Sequence, residues 1–286
     1  MKKKALVLSM AAMLVMSLAA CGGKAEETTE APASAEEAGS EGAGEASSEE
    51  TGAGEESAAD KGEAAGGVLV MGTNAEFPPY EFREGGEIVG IDVEIVSAIA
   101  EELGMELQIE DMAFESIFTA VGSGKIDIGA GGITVTEDRK LSMDFSDTYA
   151  TASQKVIIKE GSDITSPDDL AGKVIGVQLG TTGDLYCSDL ESEGSTVERY
   201  NKGFEAVQSL LQDKVDAVVI DSEPAKVFVE QSEGLVILDE SFTDEEYAFI
   251  VKKGNTELLD KVNAALKKLG EEGKLDEIVG KYIKAE

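Results

Sequence analysis

Apolar positions along the chain fall into three regimes. They run almost unbroken from Ala5 to Ala20, large apolar residues vanish from Gly22 to Gly67, and from Val68 onward they return in short runs and at helical spacing. In the third zone Val68-Leu69-Val70-Met71 reads as a strand. Ile95, Val96, Ile99 and Leu103 recur at the period of a helix, with Asp92 as its expected cap and Gly104 at its C-terminal end. Glu106 to Ile109 predicts a strand, Glu115 to Val121 a helix and Ile126 to Ala130 a strand. The rhythm restarts with a strand over Val174 to Val177, a helix over Asp184 to Glu191 and a strand over Val197 to Tyr200. A helix over Phe204 to Gln212 and a strand over Ala217 to Ile220 follow. Two closing helices, over Thr256 to Leu269 and Leu275 to Ile283, complete the series. Alternating strands and helices predict an α/β fold with mainly parallel, helix-covered sheets.

The two halves echo each other. Phe114-Glu115 leads through a helix to Lys125-Ile126-Asp127, and Phe204-Glu205 leads through another to Lys214-Val215-Asp216. The echo suggests two lobes of like topology. Ligands of open α/β sheets sit beyond the C-terminal strand ends. Here those ends are Gly129 to Gly132 and Ile220-Asp221, so facing lobes would bring them around one cleft.

The first two regimes are read differently. Three lysines, an apolar run shorter than the roughly 20 residues of a membrane span and a small-residue end form a secretory signal over 1–21. The other reading is a short anchor helix. Leu18-Ala19-Ala20-Cys21-Gly22 resembles a bacterial lipobox, which implies lipidation of Cys21 and attachment to a membrane face; the other reading is an ordinary cleavage site. Residues 22–67 carry 13 acidic residues and 2 lysines among Gly, Ala, Ser and Thr. Without large apolar residues they cannot bury a core, and they are expected to form a disordered tether. The remaining cysteine, Cys187, is expected as a small buried hydrophobe.

Charge then narrows the partners. The net charge is −34 and there is no histidine, which argues against nucleic acid, since phosphate binding needs a cationic face. No metal-ligand cluster or nucleophile motif stands out, so neither a cofactor nor a catalytic residue is expected.

Several residues suit a small zwitterion. Gly131-Gly132 after a strand would let backbone approach a ligand. Thr136 suits a helix N-cap, one turn before Arg139, whose guanidinium can hold a carboxylate by two parallel bonds; pairing with Glu137 or Asp138 is the other reading. Gly180-Thr181-Thr182-Gly183-Asp184 joins a strand to a helix, where free N–H groups favour an anion, or forms a plain capped loop. Asp221 could neutralise an ammonium or cap the helix after it. Phe77 and Phe114 could flank an aliphatic stem or simply pack the core.

Together these segments resemble the polar amino-acid substrate-binding proteins of ABC transporters, on the two-lobed type II periplasmic-binding-protein fold. The carriers are Gly72 through Phe82, Gly90 through Ile95, Ser123 through Asp127, Gly132 through Lys140, Asp144 through Asp147 and Gly180 through Gly183. The resemblance implies a solute-binding domain over 68–286, with one lobe of 68–149 and 249–286 and the other of 153–244. It implies crossovers near Tyr149 to Ser153 and Glu245 to Ala248. Arg139 would grip the ligand α-carboxylate, helped by Thr134 and Thr182. Asp221 would take the α-ammonium beside the Gly132 carbonyl. Phe77 and Phe114 would sandwich the stem, and Asn74 and Gln178 would read its far end. Asn74 replaces an Asp found in several binders of cationic amino acids, so the ligand stays open between arginine or lysine and glutamine; Glu76 and Glu115 would suit a cationic tip, or face solvent. The resemblance implies a monomer outside the cytoplasm, handing a free amino acid to the permease subunits. A dehydratase of small acids on the same fold is the enzymatic rival.

Overall fold

A computed structural model describes residues 67–284. The expected signal segment, Cys21 and the acidic segment lie outside the described residues.

Two sheets make the frame. The first takes strands Val68–Thr73, Glu106–Asp111, Ile128–Gly129, Met143–Phe145 and, late in the chain, Ile250–Lys252. Val68–Thr73 lies parallel between Glu106–Asp111 and Ile128–Gly129. The second sheet is built around Val174–Gln178, parallel to Thr196–Tyr200 and to Ala217–Asp221. The parallel pairs are those the alternating pattern predicts. Each sheet also carries antiparallel strands. Ile250–Lys252 returns into the first sheet, and Ala150–Lys159 runs against Ala217–Asp221 in the second. These additions follow from a chain that leaves the first sheet and comes back to it. Ala150–Lys159 carries the outward crossing and Thr243–Tyr247 the return, and the two pair antiparallel, with Gln154 opposite Thr243 and Ala150 opposite Tyr247. The result is a two-lobed α/β fold with two crossover strands hydrogen-bonded to each other.

Both faces of the second sheet are buried. Val156 and Ile158 pack on one side with Ile175, Val177, Cys187 and Val219, while Ile157, Val218 and Ile220 face the other. This is the period-two alternation of a covered strand. Cys187 is buried, and desolvation pushes its thiol up to about 12, which makes it inert as a nucleophile at neutral pH.

The sequence echo has a physical basis. The Asp127 carboxylate accepts from the Val70 N–H at 2.8 Å, while the Asp127 N–H donates to Val70 O. Asp216 does the same with Val174, its carboxylate accepting at 2.8 Å. Each aspartate satisfies backbone groups near the start of the first parallel strand of its sheet. The paired Phe residues diverge, because Phe114 is buried and Phe204 exposed.

Some local expectations need correction. Helix Ile91–Leu103 ends at Gly104 in the left-handed conformation, as its glycine requires, but Asp92 does not cap it. The N-cap position is Gly90, and Asp92 points inward, accepting from the Gly132 N–H at 3.0 Å and the Tyr149 hydroxyl at 2.6 Å. Full burial made those distant donors its partners. The strand expected over Ile126 to Ala130 contracts to Ile128–Gly129, since Asp127 is engaged with Val70. The helix expected from Asp184 begins at Thr182. The hairpin Glu81–Glu84 and Glu87–Val89 went unread because its strands are short and polar.

Candidate functional site

The C-terminal strand ends of the two sheets meet around one narrow cleft. Its walls contain Asn74, Phe77, Phe114, Gly132, Thr134, Arg139, Gln178, Thr182 and Asp221, the nine positions expected from the sequence. The lining also contains Glu81, Gly131 and Thr181.

Arg139 is brought there by a short helix. Thr136 caps helix Glu137–Ser142, accepting from the Arg139 N–H at 3.1 Å. Glu137 is engaged by Lys140 instead. The Arg139 guanidinium donates to Thr134 O at 2.7 Å and, across the cleft, to Gly180 O at 3.1 Å. It lies 5.7 Å from the Phe114 ring centre and 4.9 Å from that of Phe118, a geometry for cation–π attraction. Burial lowers its pKa, and the charges of Glu245 and Asp221 oppose that shift; the group stays a cation.

On the opposite wall Asp221 ends strand Ala217–Asp221. It occupies the N-cap position of the next helix without a side-chain capping bond. The Tyr247 hydroxyl donates to it instead. Desolvation, then the charge of Glu245, pushes Asp221 up to about 7. Gly132 has φ of +55°, and a β-carbon there would meet Phe77 Cε1 at 2.9 Å. Glycine thus serves both the backbone turn and the close approach of the Phe77 ring.

At the third side the Gln178 amide donates to Asn74 Oδ1 at 3.0 Å, bridging the lobes, and the Asn74 amide donates to Met112 O at 2.9 Å. Glu76 takes no part in the lining; it pairs with Lys202 of the other lobe at 2.6 Å. Glu115 is also outside the lining, with its Cβ lying beneath Gly180.

Glu81 is the residue that sequence reasoning passed over. It is 1 % exposed, and neither carboxylate oxygen has a hydrogen-bond partner. Desolvation, then the charges of Asp92 and Asp221, holds its pKa well above the usual carboxylate range. Its signal was present within the Tyr80-Glu81-Phe82 segment, but a single Glu in a short polar strand reads as solvent-facing. Among the lining residues Arg139 is the one cation, against the two carboxylates Asp221 and Glu81. The arrangement offers separate places for an anion and for cations, with aromatic rings between. Among the described residues no group of His, Cys, Asp or Glu is arranged to hold a metal ion.

Known proteins agree with this architecture. The arginine-binding extracellular protein ArtP of Bacillus subtilis (strain 168) is 36% identical over 221 residues, covering 76% of this chain and 87% of its own. An ancestral arginine-binding protein bound to arginine superimposes with a TM-score of 0.74 at 40% identity, covering 77% of this chain and 100% of its own. An ancestral arginine-binding protein bound to glutamine does so with a TM-score of 0.73 at 40% identity, covering 76% and 98%. The family of bacterial extracellular solute-binding proteins, family 3, matches residues 69–285. On this match and this fold, the chain belongs to the bacterial extracellular solute-binding proteins of family 3.

Proposed function

We propose that the protein captures a basic amino acid, arginine foremost, and presents it to the permease of an ABC importer. The ligand α-carboxylate lies against Arg139 and Thr182, and the α-ammonium against Asp221 and the Gly132 carbonyl; Thr134, expected beside the carboxylate, is assigned to the ammonium instead because its proton goes to Glu245. Phe77 and Phe114 flank the stem, with Asn74, Gln178 and Glu81 at its far end. The observation that carries the choice of a basic side chain is Glu81, buried in the cleft with both oxygens unpartnered. In the empty cleft burial and the charges of Asp92 and Asp221 favour the protonated form of Glu81. A zwitterion balances Arg139 and Asp221 and leaves it so, whereas a second ligand cation would favour the carboxylate and give it a partner. The relatives that bind arginine support this reading.

Closure would come from hinge motion about the crossover strands, with lobes of 68–149 plus 249–286 and of 153–244. Delivery starts outside the cytoplasm, from a monomer attached through lipidated Cys21 and standing off the membrane on residues 22–67. The Leu18-Ala19-Ala20-Cys21-Gly22 segment supports the anchor.

Calorimetry tests the reading, using protein unfolded and refolded to strip carried-over ligand and titrated with each common amino acid. One-to-one binding led by arginine is expected. Heat from glutamine with none from arginine or lysine would overturn the basic side chain, and silence from all would overturn the amino-acid ligand.

A further inference from the structure

Behind the cleft runs the crossover strand Thr243–Tyr247, which contributes no lining residue. Glu245 and Tyr247 are two residues apart and so project from the same face. Tyr247 donates to Asp221. Glu245 is 6 % exposed, and its Oε2 accepts from Thr134 Oγ1 at 2.9 Å and from Gln154 Nε2 at 3.1 Å. Gln154, fully buried on the other crossover strand, also donates from Nε2 to Thr182 Oγ1 at 3.2 Å. One carboxylate is thus linked to a hydroxyl from each lobe.

A threonine hydroxyl has one proton to give. The Thr134 proton goes to Glu245, so toward the cleft Thr134 can only accept. Thr182 accepts from Gln154, so its own proton remains free to donate. Turning the Gln154 amide over would aim its oxygen at the Glu245 carboxylate, acceptor against acceptor, which fixes the amide as it stands. The second oxygen, Oε1, is buried without a partner. That costs stability, and packing alone gives no reason for it.

We propose that Glu245 is a positioning residue that sets the hydrogen-bond polarity of the binding cleft. It makes Thr134 an acceptor beside Asp221, suited to the ligand ammonium, and through Gln154 it leaves Thr182 a donor beside Arg139, suited to the carboxylate. The proposal rests on the amino-acid reading of the cleft.

The test is calorimetry on the whole protein and its Glu245→Met variant, with L-arginine and with 5-guanidinopentanoic acid, which lacks the α-amino group. Thr134 and Gln154 both donate to the same Glu245 oxygen, and a methionine there accepts from neither, so the threonine proton is free to turn toward the ammonium. The variant should bind arginine at least about tenfold more weakly, the loss of one charge-assisted hydrogen bond. It should bind the analogue within about threefold of the unsubstituted protein, and its melting temperature should be unchanged or higher. Equal losses for both ligands, or arginine binding within about threefold, would overturn the proposal. If the unsubstituted protein binds no arginine, the amino-acid reading fails first and the proposal with it. Should Glu245→Met not fold, Gln154→Met takes its place. It should weaken both ligands by at least about fivefold through Thr182, and unchanged affinity for both overturns the proposal.

Discussion

Arg139 and Glu81 divide the recognition of a basic amino acid between them. Arg139 already spends donors on two backbone carbonyls, one from each lobe, so its fork is held before any ligand arrives. Truncating one partner of a desolvated charge pair costs about 2–5 kcal/mol. Arg139→Ala should therefore weaken arginine binding at least about thirtyfold by calorimetry; near-native affinity would remove the carboxylate clamp. Glu81→Gln keeps the shape and deletes the charge. It should cost arginine and lysine far more than it costs glutamine, and a uniform loss across the three would show that Glu81 does not read the side chain. At this scale the sequence was informative where a motif places polar groups together, as in Gly132 through Arg139. It was silent where burial decides. Asp92 and Glu81 both look like surface acids, yet both are buried, Asp92 against the Gly132 N–H and the Tyr149 hydroxyl.

Between residues and the whole lie the elements. Helix ends and parallel strands were legible because glycine C-caps and alternating apolar runs are local signals, as at Gly104. The crossover strands had no such local signal, and only the family resemblance pointed to crossovers near Tyr149 to Ser153 and Glu245 to Ala248. Thr243–Tyr247 is polar at alternate positions, and its partner is some 90 residues away in the chain, so pairing and side-chain contacts were invisible to any window of sequence. The Asp127 and Asp216 pair shows the opposite case, in which a repeated tripeptide has a repeated backbone duty. Asp127→Ala should lower the unfolding free energy by about 1–2 kcal/mol in denaturant titration, while arginine affinity stays within about twofold. A change in affinity without a change in stability would contradict a purely backbone role.

In the whole molecule the buried carboxylates set a pH response. Asp221 is pushed up to about 7 and Asp92 to about 6, from 3.8. The folded, ligand-free protein therefore holds protons that the unfolded chain has released between about pH 4 and 7. Stability contributed by these neutral carboxyls is present below pH 4 and lost as pH rises through 6 and 7. The ligand-free melting temperature should fall across that window. A basic ligand favours the charged form of Asp221 and of Glu81, so its stabilising effect should grow over the same interval, and arginine binding should release protons. A flat ligand-free profile from pH 5 to 8 would contradict the burial of uncompensated carboxyls. Across the cleft, Arg139 to Gly180, Gln178 to Asn74 and Lys202 to Glu76 already join the lobes. Ligand then adds to a closed arrangement that has contacts of its own, and shifts the population by its differential affinity for that state.

The most direct measurement is a pair of titrations with L-arginine and L-citrulline, which share shape and α-groups and differ in the charge at the tip. If Glu81 awaits a cation, arginine should bind at least about thirtyfold more tightly, as expected for a buried charge pair against a neutral group. Equal affinity for the two would mean that the cleft reads the zwitterion and the stem alone, and the central claim would fall.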